Sequence, residues 1–99
     1  GKATAQGHAG AQFNLGFVYI GGCGVPKDDR LAVEWYTKAA AQGDAGAQFN
    51  LGTMYRTGRG VPKDGRLAVE WYGKAAAQGH ADAQFNLGNM YRTGHGVPK

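Results

Sequence analysis

The six-residue sequence AQFNLG occurs three times in this chain, at residues 11–16, 47–52 and 83–88, with a constant spacing of 36 residues. The similarity extends far beyond these letters. Residues 8–43 and 44–79 are identical at 28 of 36 positions. Self-similarity at such a period is typical of solenoids, in which each unit buries its apolar face against its neighbours. The sequence therefore predicts a stack of similar units rather than a domain built around one central core.

The phase of the repeat divides the single predicted repeat domain, residues 1–99, into four segments. We expect residues 1–7 to be the tail of a preceding unit's second helix, residues 8–43 and 44–79 to be complete units, and residues 80–99 to be a truncated third unit with one helix and the following turn. Three complete units would comprise 108 residues, and the nine that the chain lacks correspond to residues 64–72. Both ends should therefore expose a repeat interface, which predicts self-association into a homo-oligomer by end-to-end stacking.

The second unit has the pattern of two helices joined by a glycine-rich turn. From Asp44, a suitable N-cap, to about Thr57, apolar residues recur at three- and four-residue steps. The two glycines and the proline of the following turn interrupt the helix. A second helix is expected from Asp64 to Gln78, and Gly79 should end it. We refer to the first and second helix of a unit as helix A and helix B.

Glycines within helix A indicate that helix B approaches it closely. Gly52 and its equivalents Gly16 and Gly88 lie in mid-helix, where glycine costs up to about 1 kcal/mol relative to alanine. Close packing is the expected reason for keeping them. Trp35 and Trp71 should fill the space between units and be largely buried.

These motifs resemble a known repeat family. The pattern LGxxY at 51–55 followed by AxxxY at 68–72 resembles the tetratricopeptide motif. The longer period, the turn GxGVP at 58–62 and the segments VEWY at 69–72 and KAA at 74–76 resemble the Sel1-like repeat, a branch of the tetratricopeptide superfamily. The resemblance implies an all-α fold, an α-solenoid forming a right-handed superhelix of antiparallel helical hairpins. It also implies a scaffold for protein complexes.

The differences between units lie mainly on one side of helix A. Among the positions that vary are 17/53/89 and 20/56/92, whose spacing places them on one side of a helix. In the tetratricopeptide family this side lines a concave peptide-binding groove. The resemblance therefore implies a groove that is apolar in the first unit and polar or cationic beyond it, formed by Phe13, Phe17, Ile20, Phe49, Asn50, Thr53, Arg56, Phe85, Asn86, Asn89 and Arg92. The alternative is that these positions are merely exposed and drift at little cost.

We therefore expect a non-catalytic scaffold that binds a protein or peptide, with a ligand whose acidic segment would suit the arginines. The alternative function is a structural spacer or self-associating array. Binding of single-stranded RNA is less favoured, because the net charge is only +4 and both groove arginines also suit the C-terminal end of a helix. No hydrophobic run is long enough to span a bilayer, so no membrane role is expected, and the sequence gives no compartment.

Enzymatic, metal and cofactor sites are not expected. Two sets of residues might suggest such chemistry, and each occupies equivalent positions in successive units: His8, Asp44 and His80, and Cys23, Arg59 and His95. Equivalent positions in stacked units lie about 10 Å apart, whereas zinc ligands must converge at about 2 Å. The glycines of the turn follow a helix rather than a strand, so they do not form a dinucleotide-binding fingerprint.

Overall fold

A computed structural model of the chain describes residues 2–22 and 24–94, and this part contains five α-helices and no strand. The helices are α1 (Lys2–Gly21), α2 (Asp29–Ala41), α3 (Ala45–Thr57), α4 (Gly65–Ala77) and α5 (Ala81–Thr93). Each packs against its neighbours in sequence. The chain is thus an all-α solenoid, as the sequence predicted, with α1, α3 and α5 as A helices and α2 and α4 as B helices.

The helix boundaries of the second unit agree with the prediction to within one residue. The Asp44 carboxylate accepts a hydrogen bond from the Ala47 N–H at 2.9 Å and so caps α3. Asp64 caps α4 in the same way. Gly58, with φ of 73°, ends α3 in the left-handed conformation that glycine adopts most readily.

The close approach predicted at the helix A glycines is confirmed in the two complete hairpins. A Cβ atom placed on Gly52 would lie 2.8 Å from Cδ1 of Tyr72, and one on Gly16 would lie 2.7 Å from the Tyr36 ring. Tyr36 and Tyr72 are among the largest fully buried side chains. In the core of each complete hairpin, a helix B tyrosine therefore packs directly against a helix A glycine.

The tryptophans, expected to be largely buried between units, are not among the fully buried core residues. Trp35 and Trp71 are only partly buried, and Lys38 and Lys74 lie over their rings. Successive helical residues are separated by about 100° around the axis. Helix B turns its tyrosine toward helix A, and the preceding Trp71 packs against the core cluster formed by α2 and α3.

The structure also differs from the expected division at residue 8. α1 runs without interruption through this position, whereas the chain leaves the helix at Gly43 and Gly79 with φ of 97° and 89°. At those two glycines the chain must turn because the next helix packs back on the one before it.

No helix in the described part of the chain combines the length and the apolar character needed to cross a membrane. The expectations for Cys23 and His95 concern residues that lie outside the described ranges.

Candidate functional site

The three A helices together line a cavity of about 610 Å³. Seven of the eleven predicted groove residues contribute to it: Phe17, Ile20, Phe49, Asn50, Thr53, Arg56 and Asn86. Its other lining residues are Tyr36, Met54, Thr57 and Arg59. A second cavity of about 220 Å³ shares Arg56 and Asn86 with the first and adds Asn89, Met90 and Thr93. We call the two adjoining cavities the A-helix groove.

Three predicted groove residues line neither of these cavities. Phe13 packs against the Tyr36 ring with a centroid distance of 5.6 Å, so it belongs to the interior of the first hairpin. Phe85 is 70% exposed on α5. The Arg92 Nη2 donates a hydrogen bond to Asn89 Oδ1 at 3.1 Å.

One wall of the groove is apolar. Phe17 is 57% exposed, and Ile20 and Phe49 are partly buried beside the same cavity. Phe49 is held between two rings, with Tyr72 at a centroid distance of 5.6 Å and His80 stacked on it at 4.7 Å. The aromatic ring of Phe49 is therefore fixed before any ligand arrives.

Beside these apolar side chains, a series of hydrogen bonds crosses from α3 to α4. The Thr53 hydroxyl donates to the Phe49 carbonyl at 3.2 Å, so its oxygen is free to accept from the Tyr72 hydroxyl at 2.8 Å. The Tyr72 oxygen in turn accepts from Arg56 Nε at 3.1 Å. This series of hydrogen bonds fixes one edge of the Arg56 guanidinium. Its terminal nitrogens have no hydrogen-bond partner among the described residues, so they can donate to a ligand.

Arg59 has a different environment from that of Arg56. Its Nε lies 3.0 Å from Asp29 Oδ1, an ion pair without an aligned hydrogen bond, and its Nη2 donates to the Ile20 carbonyl at 3.1 Å. A Cβ atom on Gly60 would lie 2.6 Å from the Asp29 carbonyl oxygen, so the turn closely contacts the first unit. Arg59 therefore joins two units, and Asp29 balances its charge.

The hydroxyl of Tyr36 lacks the partners that Tyr72 has. The counterparts of Thr53 and Arg56 in the first unit are Phe17 and Ile20, which cannot hydrogen-bond. Burial raises the pKa of the Tyr36 phenol, while a hydrogen bond with the Asn50 side chain and the charge of Arg59 oppose the rise.

The A-helix groove has no acidic side chain in its lining. Within the described residues, no aspartate or glutamate lines either of its cavities. Glu34 lies instead on the outer side of α2, where it lines a separate cavity of about 350 Å³ with Leu31, Val33, Trp35, Thr37 and Lys38. The groove thus combines apolar side chains with the guanidinium groups of Arg56 and Arg59.

The residues proposed and rejected as metal ligands have structural contacts. His80 Nδ1 accepts a hydrogen bond from the Ala83 N–H at 3.1 Å and caps α5, as Asp44 caps α3. In residues 2–22 and 24–94 no three His, Cys, Asp or Glu side chains lie close enough together to hold a metal ion.

Repeated glutamines connect the units, and the sequence analysis assigned them no role. The buried Gln48 donates through Nε2 to the Ala40 carbonyl at 3.1 Å, and its Oε1 accepts from Gln78 Nε2 at 2.9 Å. Gln84 repeats the first contact with the Ala76 carbonyl. These bonds add a side-chain donor to carbonyl groups at the ends of helix B, which also accept from the Gly43 and Gly79 N–H groups. The identical spacing of the glutamines was the signal that could have revealed them.

The comparisons with known proteins agree with this architecture. The model of the Sel1 repeat family matches residues 9–44, 45–80 and 81–99. A crystal structure of a Sel1 repeat protein from Oxalobacter formigenes is 46% identical with a TM-score of 0.90, and the match covers 92% of this chain and 37% of that one. No curated protein matches the chain.

A second solved structure is that of c5321, described as a protective antigen present in uropathogenic Escherichia coli strains displaying an SLR fold. It is 45% identical with a TM-score of 0.91, and the match covers 94% of this chain and 20% of that one. The chain thus spans about a third and a fifth of the lengths of these two proteins.

Proposed function

Because the chain belongs to the Sel1 repeat family, we propose that it is a non-catalytic scaffold that binds a protein segment in the A-helix groove. Sel1 repeat proteins are in general scaffolds for protein interactions. The groove, its occupant and the absence of catalysis are proposals for this chain.

The observation that carries the proposal is that three successive A helices contribute side chains to one cavity. Phe17 of α1, Phe49 of α3 and Asn86 of α5 all line it. Its volume of about 610 Å³ is within the range of sites that enclose a small ligand or a few side chains. An extended segment crossing the three helices would place its side chains successively against apolar and polar side chains of the groove.

A second candidate function is self-association through the exposed face of α5. Leu51 is fully buried and Gly52 touches Tyr72, but their counterparts on α5 are less covered: Leu87 is only partly buried and Gly88 has open space beside it. Tyr91 is 54% exposed. Docking of a second copy would bury this surface, which favours a homo-oligomer or an array. Sedimentation equilibrium measures self-association independently of peptide binding.

The groove is tested by selection of ligands from a random octapeptide library displayed on phage, with the 99-residue chain immobilised. The affinities of the selected peptides are then measured by fluorescence anisotropy for the wild type and for Phe17→Thr, which introduces the residue that the second unit has at this position. Glu34→Gln, on the outer side of α2, is the control.

We expect Phe17→Thr to weaken binding at least about tenfold, because it removes an exposed aromatic ring from the apolar wall, and Glu34→Gln to change it less than about twofold. Equal affinities for Phe17→Thr and the wild type, across all selected peptides, would contradict binding in the groove. Failure of the library to yield any ligand would contradict the peptide-binding function itself.

A further inference from the structure

The guanidinium of Arg56 is a positive charge that the described protein does not neutralise. Arg56 is exposed and lines both cavities of the A-helix groove. Arg59 and Asp29 form an ion pair, but within residues 2–22 and 24–94 Arg56 has no ion-pair partner. Since its Nε is engaged by Tyr72, the two terminal nitrogens remain as donors for an anion.

Tyr72 is suited to holding this guanidinium in place. Its side chain is fully buried, its ring lies against Gly52 and Phe49, and its hydroxyl is bonded to Thr53. The Tyr72 hydroxyl, which accepts the hydrogen bond from Arg56 Nε, is therefore held in place by the contacts of Tyr72 with Gly52, Phe49 and Thr53. An arginine that is ordered in advance loses less side-chain entropy when an anion binds, so the same contact yields higher affinity.

The other units do not reproduce this arrangement among the described residues. The counterpart of Arg56 in the first unit is Ile20, which has no charge. In the third unit Arg92 donates to Asn89 of its own helix. The held arginine thus occurs at one place in the described groove, beside the apolar wall formed by Phe17 and Phe49.

We infer that the ligand of the A-helix groove is a peptide with a carboxylate next to an apolar side chain, and that Tyr72 is the positioning residue that holds Arg56 for this carboxylate. The inference rests on the proposed peptide-binding function and names the chemistry of its partner. A carboxylate suits a guanidinium because two parallel N–H···O bonds can form. The apolar side chains of the groove favour a peptide over a nucleic acid. A nucleic acid carries a phosphate on every nucleotide, whereas the described groove has only one arginine without an acidic partner.

The test compares two fluorescent octapeptide libraries that differ at one fixed position. Both carry a fixed leucine, followed by a fixed aspartate in one library and a fixed asparagine in the other, with the remaining positions random. Anisotropy titrations use the 99-residue chain, its Tyr72→Phe variant and the control Tyr55→Phe. Tyr55 belongs to the same unit but lines neither cavity of the groove.

We expect the wild type to bind the aspartate library at least about tenfold more tightly than the asparagine library. Tyr72→Phe keeps the buried ring but removes the acceptor of Arg56 Nε, so the preference should fall below about threefold, while Tyr55→Phe retains it. Circular dichroism checks that Tyr72→Phe is folded. Should it fail to fold, Arg56→Gln, at an exposed position, must abolish the preference.

The outcomes separate the two proposals. Equal binding of both libraries by the wild type would overturn the inference and leave the groove as a peptide site. A preference that Tyr72→Phe retains in full would overturn the role of Tyr72. If a fluorescent oligouridylate bound more tightly than either library, the acidic-peptide assignment would be wrong, and if neither library bound, the proposed function would fail with it.

Discussion

Replacing Gly52 and Gly88 separately by alanine tests the packing of helix A against helix B, because the two glycines are equivalent in sequence and differ in surroundings. In each variant the replacement of glycine by alanine should favour the helical conformation by about 1 kcal/mol. At Gly88 no atom of the described residues, apart from the adjoining backbone of α5 itself, lies within 4 Å of the added Cβ. Gly88→Ala should therefore stabilise the fold by about 0.5 to 1 kcal/mol.

At Gly52 the same methyl group has no room. It would lie 2.8 Å from Cδ1 and 3.0 Å from Cε1 of Tyr72, and 3.3 Å from the carbonyl oxygen of Ala68. The tyrosine cannot move aside easily, because it is fully buried and its hydroxyl is bonded to Thr53 and Arg56. Overpacking of this kind costs about 1 to 3 kcal/mol. After subtraction of the propensity gain, Gly52→Ala should destabilise by about 0 to 2 kcal/mol.

The two variants should therefore differ by about 1 to 3 kcal/mol in the free energy of unfolding. Urea denaturation followed by circular dichroism measures this difference directly. In thermal melts, each kcal/mol corresponds to about 4 to 8 °C for a domain of this size. The reasoning would be refuted if Gly52→Ala stabilised the chain as much as Gly88→Ala does, because α3 and α4 would then not be in close contact at this glycine.

The remaining predictions concern the buried glutamine, the exposed end and the buried phenol. Gln48→Ala removes the hydrogen bonds to Ala40 and Gln78 and should lower the free energy of unfolding, measured in urea, by about 1 to 3 kcal/mol. The same change at the exposed Gln84 should lower it by less than about 1 kcal/mol. Equal losses would contradict the role of the buried Gln48 in the contact between units. Sedimentation equilibrium should show a mass that increases with concentration and returns toward the monomer in Tyr91→Glu; a monomeric wild type at the highest soluble concentration would refute self-association. Because burial raises the pKa of Tyr36, the unfolded chain loses this proton first as the pH rises above about 10, so stability should fall there, and Tyr36→Phe should reduce the fall measured in urea at successive pH values.

The repeat period and the capping residues were sufficient to predict the fold. A spacing of 36 residues with Asp44 and Asp64 at the starts of apolar patterns determines where helices begin, because capping depends on residues within one turn. The close contact at Gly52 was also predictable, since glycine in mid-helix needs a reason. These inferences depend on interactions within one or two helical turns, and the repeated sequence shows the same residues for them in several units.

The contacts between helices could be predicted only in part. The apolar pattern placed the adjacent Trp71 and Tyr72 both on the buried side of helix B and did not distinguish between them, whereas the structure buries Tyr72 fully and Trp71 only partly. The bond from Arg56 to Tyr72 joins residues 16 apart and depends on side-chain rotamers, which the sequence pattern does not determine. Phe13 was assigned to the groove from its spacing, but its ring packs inward on Tyr36.

The central claim, that a peptide binds in the A-helix groove, is tested most directly by nuclear magnetic resonance of the isotopically labelled chain during titration with a selected peptide. The account predicts that the largest chemical-shift changes occur at Phe17, Phe49, Arg56 and Asn86, which belong to three different A helices and line one cavity. Changes confined to the outer side of α2, around Trp35 and Lys38, with the groove resonances unmoved, would contradict it.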